Sequence, residues 1–247
     1  MTNQIHAIIL CAGIGERLRP PTYTTNKNLL PINGKPLIQH LIDTLIDSKT
    51  AVKRIHICIG HFGYKFRELF HKTYRGVPIS FLTNPLYKVT GAAQTLYIAS
   101  PILRRGSCLV LEGDHYMHPT IMTNLMQSNY KNCILVDQYH KPILDEETLA
   151  YGQGGLLSAL KWLPPYPEGW LGEALTLFKM DSDCSSALAN LLEEYLLENG
   201  SARKEIIEPF NRLIKSRDFH YEATGQLPWI EVDTPQDLAY AREMKFK

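Results

Sequence analysis

The chain has 247 residues, with 26 Lys and Arg against 25 Asp and Glu, so its formal net charge is +1. That balance argues against a coat for nucleic acid or anionic membrane, since both need a surplus of cations. No run of about 18 apolar residues is present, so no membrane-spanning helix is expected. In chain order, His6–Cys11 reads as a buried strand, and Pro36–Asp47 sets Leu37, Ile38, Leu41, Ile42, Leu45 and Ile46 on one helical stripe. Arg54–Gly60 reads as a second strand, and Phe62, Phe66, Leu69 and Phe70 mark a second helix. Ile79–Leu82 is a third strand, Gly91–Ser100 a third helix, Cys108–Glu112 a fourth strand and Cys133–Val136 a fifth. Strands separated by helices imply an α/β architecture: a doubly wound, mostly parallel sheet with helices on both faces.

Beyond about residue 140 the pattern changes. Strands are expected at Leu156–Leu163, Ala174–Lys179 and Trp229–Val232, and helices at Ser185–Glu198, Glu205–Lys215 and Pro235–Met244, the last with Thr234 as N-cap. The whole chain, 1–247, is expected to form one domain. Its nucleotide-binding half spans about 1–140, and its acceptor-binding half spans about 141–247. Five cysteines without CxxC spacing lie mostly in apolar runs, and the N-terminus lacks the basic start of a signal peptide. Reduced core thiols and a cytoplasmic location are expected.

The informative segment is Leu10–Ile38, LCAGIGERLRPPTYTTNKNLLPINGKPLI. It begins where the first strand ends, the edge at which open α/β sheets bind ligands. Gly13 and Gly15 let the backbone approach a phosphate and offer N–H donors. Between Gly13 and Pro36, the cations Arg17, Arg19, Lys27 and Lys35 face only Glu16, a local charge of +3. Two commoner phosphate loops fail here. A dinucleotide GxGxxG needs a glycine where Leu18 stands, and a P-loop needs Ser or Thr where Pro36 stands.

The segment resembles the signature loop of the sugar-phosphate nucleotidyltransferases, AAGxGxRLxPxT…PKxLLPVxGKPLI. One departure is visible: Asn26 stands where that family usually has Pro before its catalytic lysine. The resemblance implies a Rossmann-like, mixed sheet and assigns catalytic roles to Arg17, Lys27 and Asp114. It implies nucleotide contacts from Leu10, Ala12, Gly13, Gly15, Glu16, Arg17, Lys27, Asn84, Gly91 and Gln94. Leu111-Glu112-Gly113-Asp114 resembles the strand-end segment whose Asp binds Mg²⁺. Glu231 and Asp233, in IEVDT, resemble the pair that completes the metal site. Lys161 resembles a lysine that holds the acceptor's phosphate, and Tyr116, Trp162, Trp170 and Glu173 are placed with it in the acceptor set.

Each position has a plainer reading. Asp114 is also a plausible turn cap, Glu231 and Asp233 a helix entry, Gln94 a surface residue and Lys161 a solvated one. His115 and His118 are given no required part. Tyr151, Trp162, Tyr166 and Trp170 suit either a cage for a quaternary amine or a lid or dimer interface.

Without a β-helix or acyltransferase extension after the E-x-D helix, the sequence resembles the short cytidylyltransferases acting on phosphocholine or phosphonates. Asn84, Tyr87, Leu96, Tyr97, Asp114 and Tyr116 agree with that subgroup, while Gly91-x-x-Gln94 resembles thymidylyltransferases for glucose 1-phosphate. The expectation is a Mg²⁺-dependent transfer of CMP from CTP to a small phosphorylated or phosphonate acceptor, releasing pyrophosphate. A sugar 1-phosphate acceptor with CTP, UTP or dTTP is the alternative, and a non-catalytic nucleotide-sensing relative is a third. Neither nucleic acid nor membrane is expected as a partner, and a homodimer is compatible with the aromatic surface.

Overall fold

The computed structural model describes residues 5–139, 148–161 and 169–246. The first half runs β1 (Ile5–Cys11), β2 (Pro31–Ile32), β3 (Lys35–Pro36), α1 (Leu37–Asp47), β4 (Val52–Ile59), α2 (Gly63–Phe70), β5 (Thr73–Tyr74) and β6 (Val77–Thr83). It continues with α3 (Ala92–Tyr97), α4 (Ser100–Leu103), β7 (Cys108–Glu112), β8 (His115–Met117), α5 (Pro119–Gln127) and β9 (Cys133–Asp137). The second half holds β10 (Leu149–Gln153), β11 (Leu156–Lys161), β12 (Trp170–Met180), α6 (Ser182–Asn199), α7 (Ile207–Ser216), β13 (His220–Ala223), β14 (Trp229–Glu231) and α8 (Pro235–Glu243).

The expected third helix is divided in two. Pro101 has no N–H to donate to the Tyr97 carbonyl, so α3 stops and α4 starts afresh with Pro101 in its first turn.

Ten strands form one sheet in the order β10-β11-β13-β9-β12-β7-β1-β4-β6-β5. The strands β6, β4, β1 and β7 are mutually parallel. Both their faces are covered, which is why β1 is apolar along nearly its whole length. Ile8, Leu10, Cys58 and Val110 pack on one face beneath α3, α4, α6 and α7. Ala7, Ile9, Ile57 and Leu111 pack on the other, beneath Ile38, Leu41 and Leu45 of α1 and Phe66 and Phe70 of α2. Burying each such Leu, Ile or Phe contributes about 1.5–3 kcal/mol.

The parallel pattern does not continue through β9. The long strand β12 inserts between β7 and β9, antiparallel to both, with an irregular register between Leu175 and Phe178. Its first half also pairs with β10, so β12, β10, β11, β13 and β9 return on one another. All five cysteines are buried and unpaired. Among the described residues, no helix is long and apolar enough to cross a membrane.

A third core cluster lies outside the main sheet. It joins Leu18, Leu30, Ile32 and Leu37 of the signature segment to Val232, Leu238 and Ala241 near the C-terminal helix. This packing brings the first forty residues against the last twenty.

Candidate active site

The loop after β1 is a chain of three short 3-10 turns, Glu16–Leu18, Pro21–Tyr23 and Lys27–Leu29. Gly15 opens the first with φ of 68°, a left-handed conformation that costs a side chain energy. Its carbonyl accepts the Thr22 hydroxyl at 2.8 Å and the Leu18 N–H at 3.1 Å.

Asn26 explains the departure from the family pattern. It is fully buried, and its Nδ2 donates to the carbonyls of Cys11 at 3.0 Å, Gly13 at 3.1 Å and His61 at 3.1 Å. Its Oδ1 accepts the Asn28 N–H at 3.0 Å, which caps the turn that carries Lys27. One amide therefore ties the lysine's turn to the end of β1, to the glycine loop and to the residue after Gly60. A proline restricts its own φ but can make none of these bonds.

The carboxylates arrive by a separate route. Asp114 lies two residues past the end of β7, and β8 after it pairs antiparallel with β14, setting His115 opposite Glu231. The Val232 N–H donates to the Asp114 carbonyl at 3.0 Å, which fixes the two segments together. Beyond them Thr234 and Asp237 form a capping box at the start of α8. The helix entry thus satisfies its own N–H groups, and the Asp233 carboxylate faces the site.

There Lys27 Nζ lies 2.6 Å from Asp114 Oδ2 and 2.6 Å from Asp233 Oδ1. Arg17 reaches Asp233 Oδ2 at 2.9 Å. Burial alone would lower the Lys27 pKa, but Asp114, Asp233 and Glu231 outweigh it, and the ammonium is held charged well above its usual range. Burial would raise Asp114, yet the adjacent Lys27 and His115 hold its carboxyl well below the usual carboxylate range. Glu231 goes the other way, pushed far up by burial and then by Asp114 and Asp233. Glu112 is pushed up to about 7, by burial and then by Asp114.

Asp114, Glu231 and Asp233 offer carboxylate oxygens that all lie within 4.8 Å of one another. Three hard oxygen donors at that spacing fit a divalent cation of the Mg²⁺ type.

Beside this cluster opens a cleft of about 330 Å³. Of the expected nucleotide contacts, Leu10, Ala12, Gly13, Gly15, Glu16, Lys27 and Gly91 line it, together with Asp114. Arg17 stands outside its wall, half exposed and paired with Asp233. Gln94 is also off the wall, half-buried on α3. Asn84 lies behind it, donating to Thr90 Oγ1 and Thr95 Oγ1 at 3.0 Å each and accepting from the Leu86 N–H at 3.0 Å. It shapes the 84–90 loop without facing the cleft. The wall also includes Glu112, Tyr87, Lys88, Arg203 and Glu205, which the sequence pattern did not single out for this role.

The expected acceptor residues divide. Tyr116 is buried in the third core cluster, its OH accepts from Asn33 Nδ2 at 3.3 Å, and it packs against His40 and Phe246. Pleating explains this, since Tyr116 pairs with Ile230 on β14 and shares that residue's inward cluster. Lys161 is exposed, with its ammonium 4.8 Å from the centre of the Tyr151 ring. Glu173 is buried and stands opposite Asp137 across the β12–β9 pair, while Trp170 stands opposite Tyr151. Trp162 and Tyr166 lie outside the described residues. His115 stacks on Trp229, whose Nε1 donates to Asp137 at 2.8 Å. A series of contacts therefore leads from Asp114 through His115 and Trp229 to Asp137, which stands opposite Glu173. His118 serves as the N-cap of α5.

Residues 6–152 match the family described as nucleotidyl transferase. The CMP-5'-(3-aminopropyl)phosphonate synthase of Streptomyces rubellomurinus is 26% identical over 256 residues, covering 96% of this chain and 38% of that protein. A bifunctional protein GlmU of Methanococcus vannielii is 31% identical over 250 residues, covering 98% of this chain and 55% of that protein. The chain thus spans about half or less of the length of these relatives. In fold it is similar to the CTP:phosphocholine cytidylyltransferase of Streptococcus pneumoniae, with a TM-score of 0.78, 23% identity and coverage of 97% of this chain and 98% of that one. The family match extends over more than half of the sequence and contains the glycine loop, Lys27 and Asp114, so this chain is a member of the nucleotidyl transferase family.

Proposed function

We propose that this protein transfers a nucleoside monophosphate, CMP from CTP in the favoured case, to a small phosphonate or phosphorylated acceptor and releases pyrophosphate. The observation that carries this reading is the Lys27 ammonium held between Asp114 and Asp233 at the mouth of a cleft walled by the Gly13–Gly15 loop. The relatives named for an aminopropylphosphonate and for phosphocholine support the acceptor class.

In this scheme the loop N–H groups cradle the triphosphate, and Arg17 moves from Asp233 to the outer phosphates, which its planar fork suits. Lys27 stabilises charge that builds on the α-phosphoryl oxygens. An acceptor oxygen forms the new bond to the α-phosphorus as the bond to the pyrophosphate oxygen breaks. No general base is needed, because a phosphonate or phosphate oxygen is already ionised near neutral pH. A Mg²⁺ held by Asp114, Asp233 and Glu231 would supply charge neutralisation and in-line alignment of the phosphates. In this scheme the amine of such an acceptor lies toward Asp137, Glu173 and the nearby aromatic rings, where a cation would gain both ion pairing and cation–π attraction.

The test is pyrophosphate release measured with Mg²⁺, each nucleoside triphosphate and a panel of phosphocholine, 2-aminoethylphosphonate and glucose 1-phosphate. Turnover with one of the amines and CTP is expected. Turnover with glucose 1-phosphate alone would overturn the acceptor class. Nucleotide binding without any pyrophosphate would overturn catalysis and favour a nucleotide sensor.

A further inference from the structure

The loop between α6 and α7 belongs to the second half of the chain, yet it forms part of the cleft wall. Thr90 and Ala202 make an isolated antiparallel bridge, and the Ala93 N–H donates to the Lys204 carbonyl at 2.9 Å. A Cβ on Gly91 would come within 2.2 Å of the Lys204 carbonyl oxygen, so only glycine permits this approach. The contact brings Arg203 and Glu205 to the wall that also includes Leu10, Gly91 and Thr95. Glu205 is half-buried there, and its carboxylate accepts the Ala92 backbone N–H. Burial pushes its carboxyl up from the ordinary value, a mark of reduced contact with water. A carboxylate has room for about four hydrogen bonds, and the Ala92 bond occupies one.

The phosphate-binding groups, Lys27 and the glycine loop, belong to the first half, so Glu205 confronts them with an anionic acceptor on the α3 side. An anion cannot serve the phosphates, but it suits a base edge that donates hydrogen bonds. At C4, cytosine carries an amino donor where uracil and thymine carry a carbonyl acceptor. A carboxylate accepts from the first and repels the second. We propose that Glu205 is the base-selecting residue of this cleft, favouring a cytosine nucleotide by accepting from its exocyclic amine. The assignment rests on the nucleotidyl-transfer reading of the site and adds to it the residue that decides the base.

The test is calorimetric titration of CTP and of UTP into the wild-type chain and into Glu205→Gln, with thermal unfolding of both proteins. Wild type is expected to bind CTP about tenfold or more tightly than UTP, and Glu205→Gln to bring the two within about threefold by weakening CTP. Equal losses for both nucleotides, or an unchanged ratio, would overturn the proposal and leave Glu205 as a support for α3. If Glu205→Gln does not fold, Glu205→Asp keeps the charge while shortening its reach, and an unchanged ratio there has the same meaning. Wild-type binding of both nucleotides without preference overturns this assignment alone. Binding of neither overturns the transfer reading as well.

Discussion

In β6, β4, β1 and β7 the strands run parallel and helices cross between them, whereas the strands beyond β12 run mostly antiparallel and return on one another. The first region is held by two apolar cores and ends at the edge where its loops carry Gly13, Gly15, Lys27 and Asp114. Outside it, β14 and the turn that follows carry Glu231 and Asp233, and Glu173 of β12 stands opposite Asp137 of β9. Neither region assembles the site by itself. Lys27 meets Asp233 across 206 residues of sequence, and the short β8–β14 pair sets that distance. The contrast teaches that the loop leaving the parallel strands positions Arg17 and Lys27, while the added segments supply the counter-charge of Asp233 and bring Glu231 beside it.

The most severe way to break this division is to remove one member of the joint. Lys27→Ala and Asp114→Ala are each expected to lower the rate of pyrophosphate release by at least ~100-fold, as loss of a charge-stabilising contact does. Near-normal rates in either variant would refute the roles given to them. Asn26→Ala tests whether the first region's rigidity reaches the lysine. Three carbonyls and one N–H lose a buried partner, so unfolding in denaturant should show a loss of about 1–3 kcal/mol. The rate should fall by about tenfold, since a small displacement of a catalytic group is costly. An Asn26→Ala enzyme with wild-type stability would show that the amide bonds are redundant.

Within the parallel region, His56 offers a pH test. Burial, then His6, Arg54 and Arg105, lower its pKa to about 4. The folded state therefore keeps it neutral where the unfolded chain would bind a proton. Its contribution is complete above about 6.5 and is lost as the pH falls through that window towards 4. Denaturant unfolding at pH 7 and pH 4.5 should show a stability drop that is smaller in His56→Gln, and an equal drop in both proteins would sink the assignment. The smallest expected effect lies in the second region. Thr234→Ala removes the cap of α8 and should cost about 1 kcal/mol in unfolding. It should alter the rate only slightly, through Asp233, whose N–H is held by the same Asp237 carboxylate at 3.1 Å. A large loss of activity there would mean that α8 positions Asp233 more tightly than its packing suggests.

Legibility in the sequence followed burial. The strands β1, β4, β7 and β9 stand out because two covered faces demand continuous apolar runs. Helix α1 stands out because its stripe repeats at helical spacing. The strands β10 and β13 escape that logic. LAYGQ is interrupted by glycine although four of its five residues are buried, and HYEA is a half-buried strand of four residues without apolar alternation. Resemblance to a subgroup placed Tyr116 with the acceptor, whereas the β8–β14 pairing turns its side chain into the third core cluster, which a local motif does not show.

The order of residues by itself showed the Gly13–Gly15 loop and the cations around it, and resemblance to a family signature pointed to Lys27, Asp114 and the Glu231–Asp233 pair as candidates. The tertiary structure alone decided what those groups face. It inserted β12 beside β7, joined β8 to β14, and folded the 200–205 loop over Gly91. It also gave Asn26 its four partners, drawn from both strand ends and the turn. Such choices depend on hydrogen bonds and apolar contacts between segments far apart in the chain, and these leave no periodic trace in the order of residues.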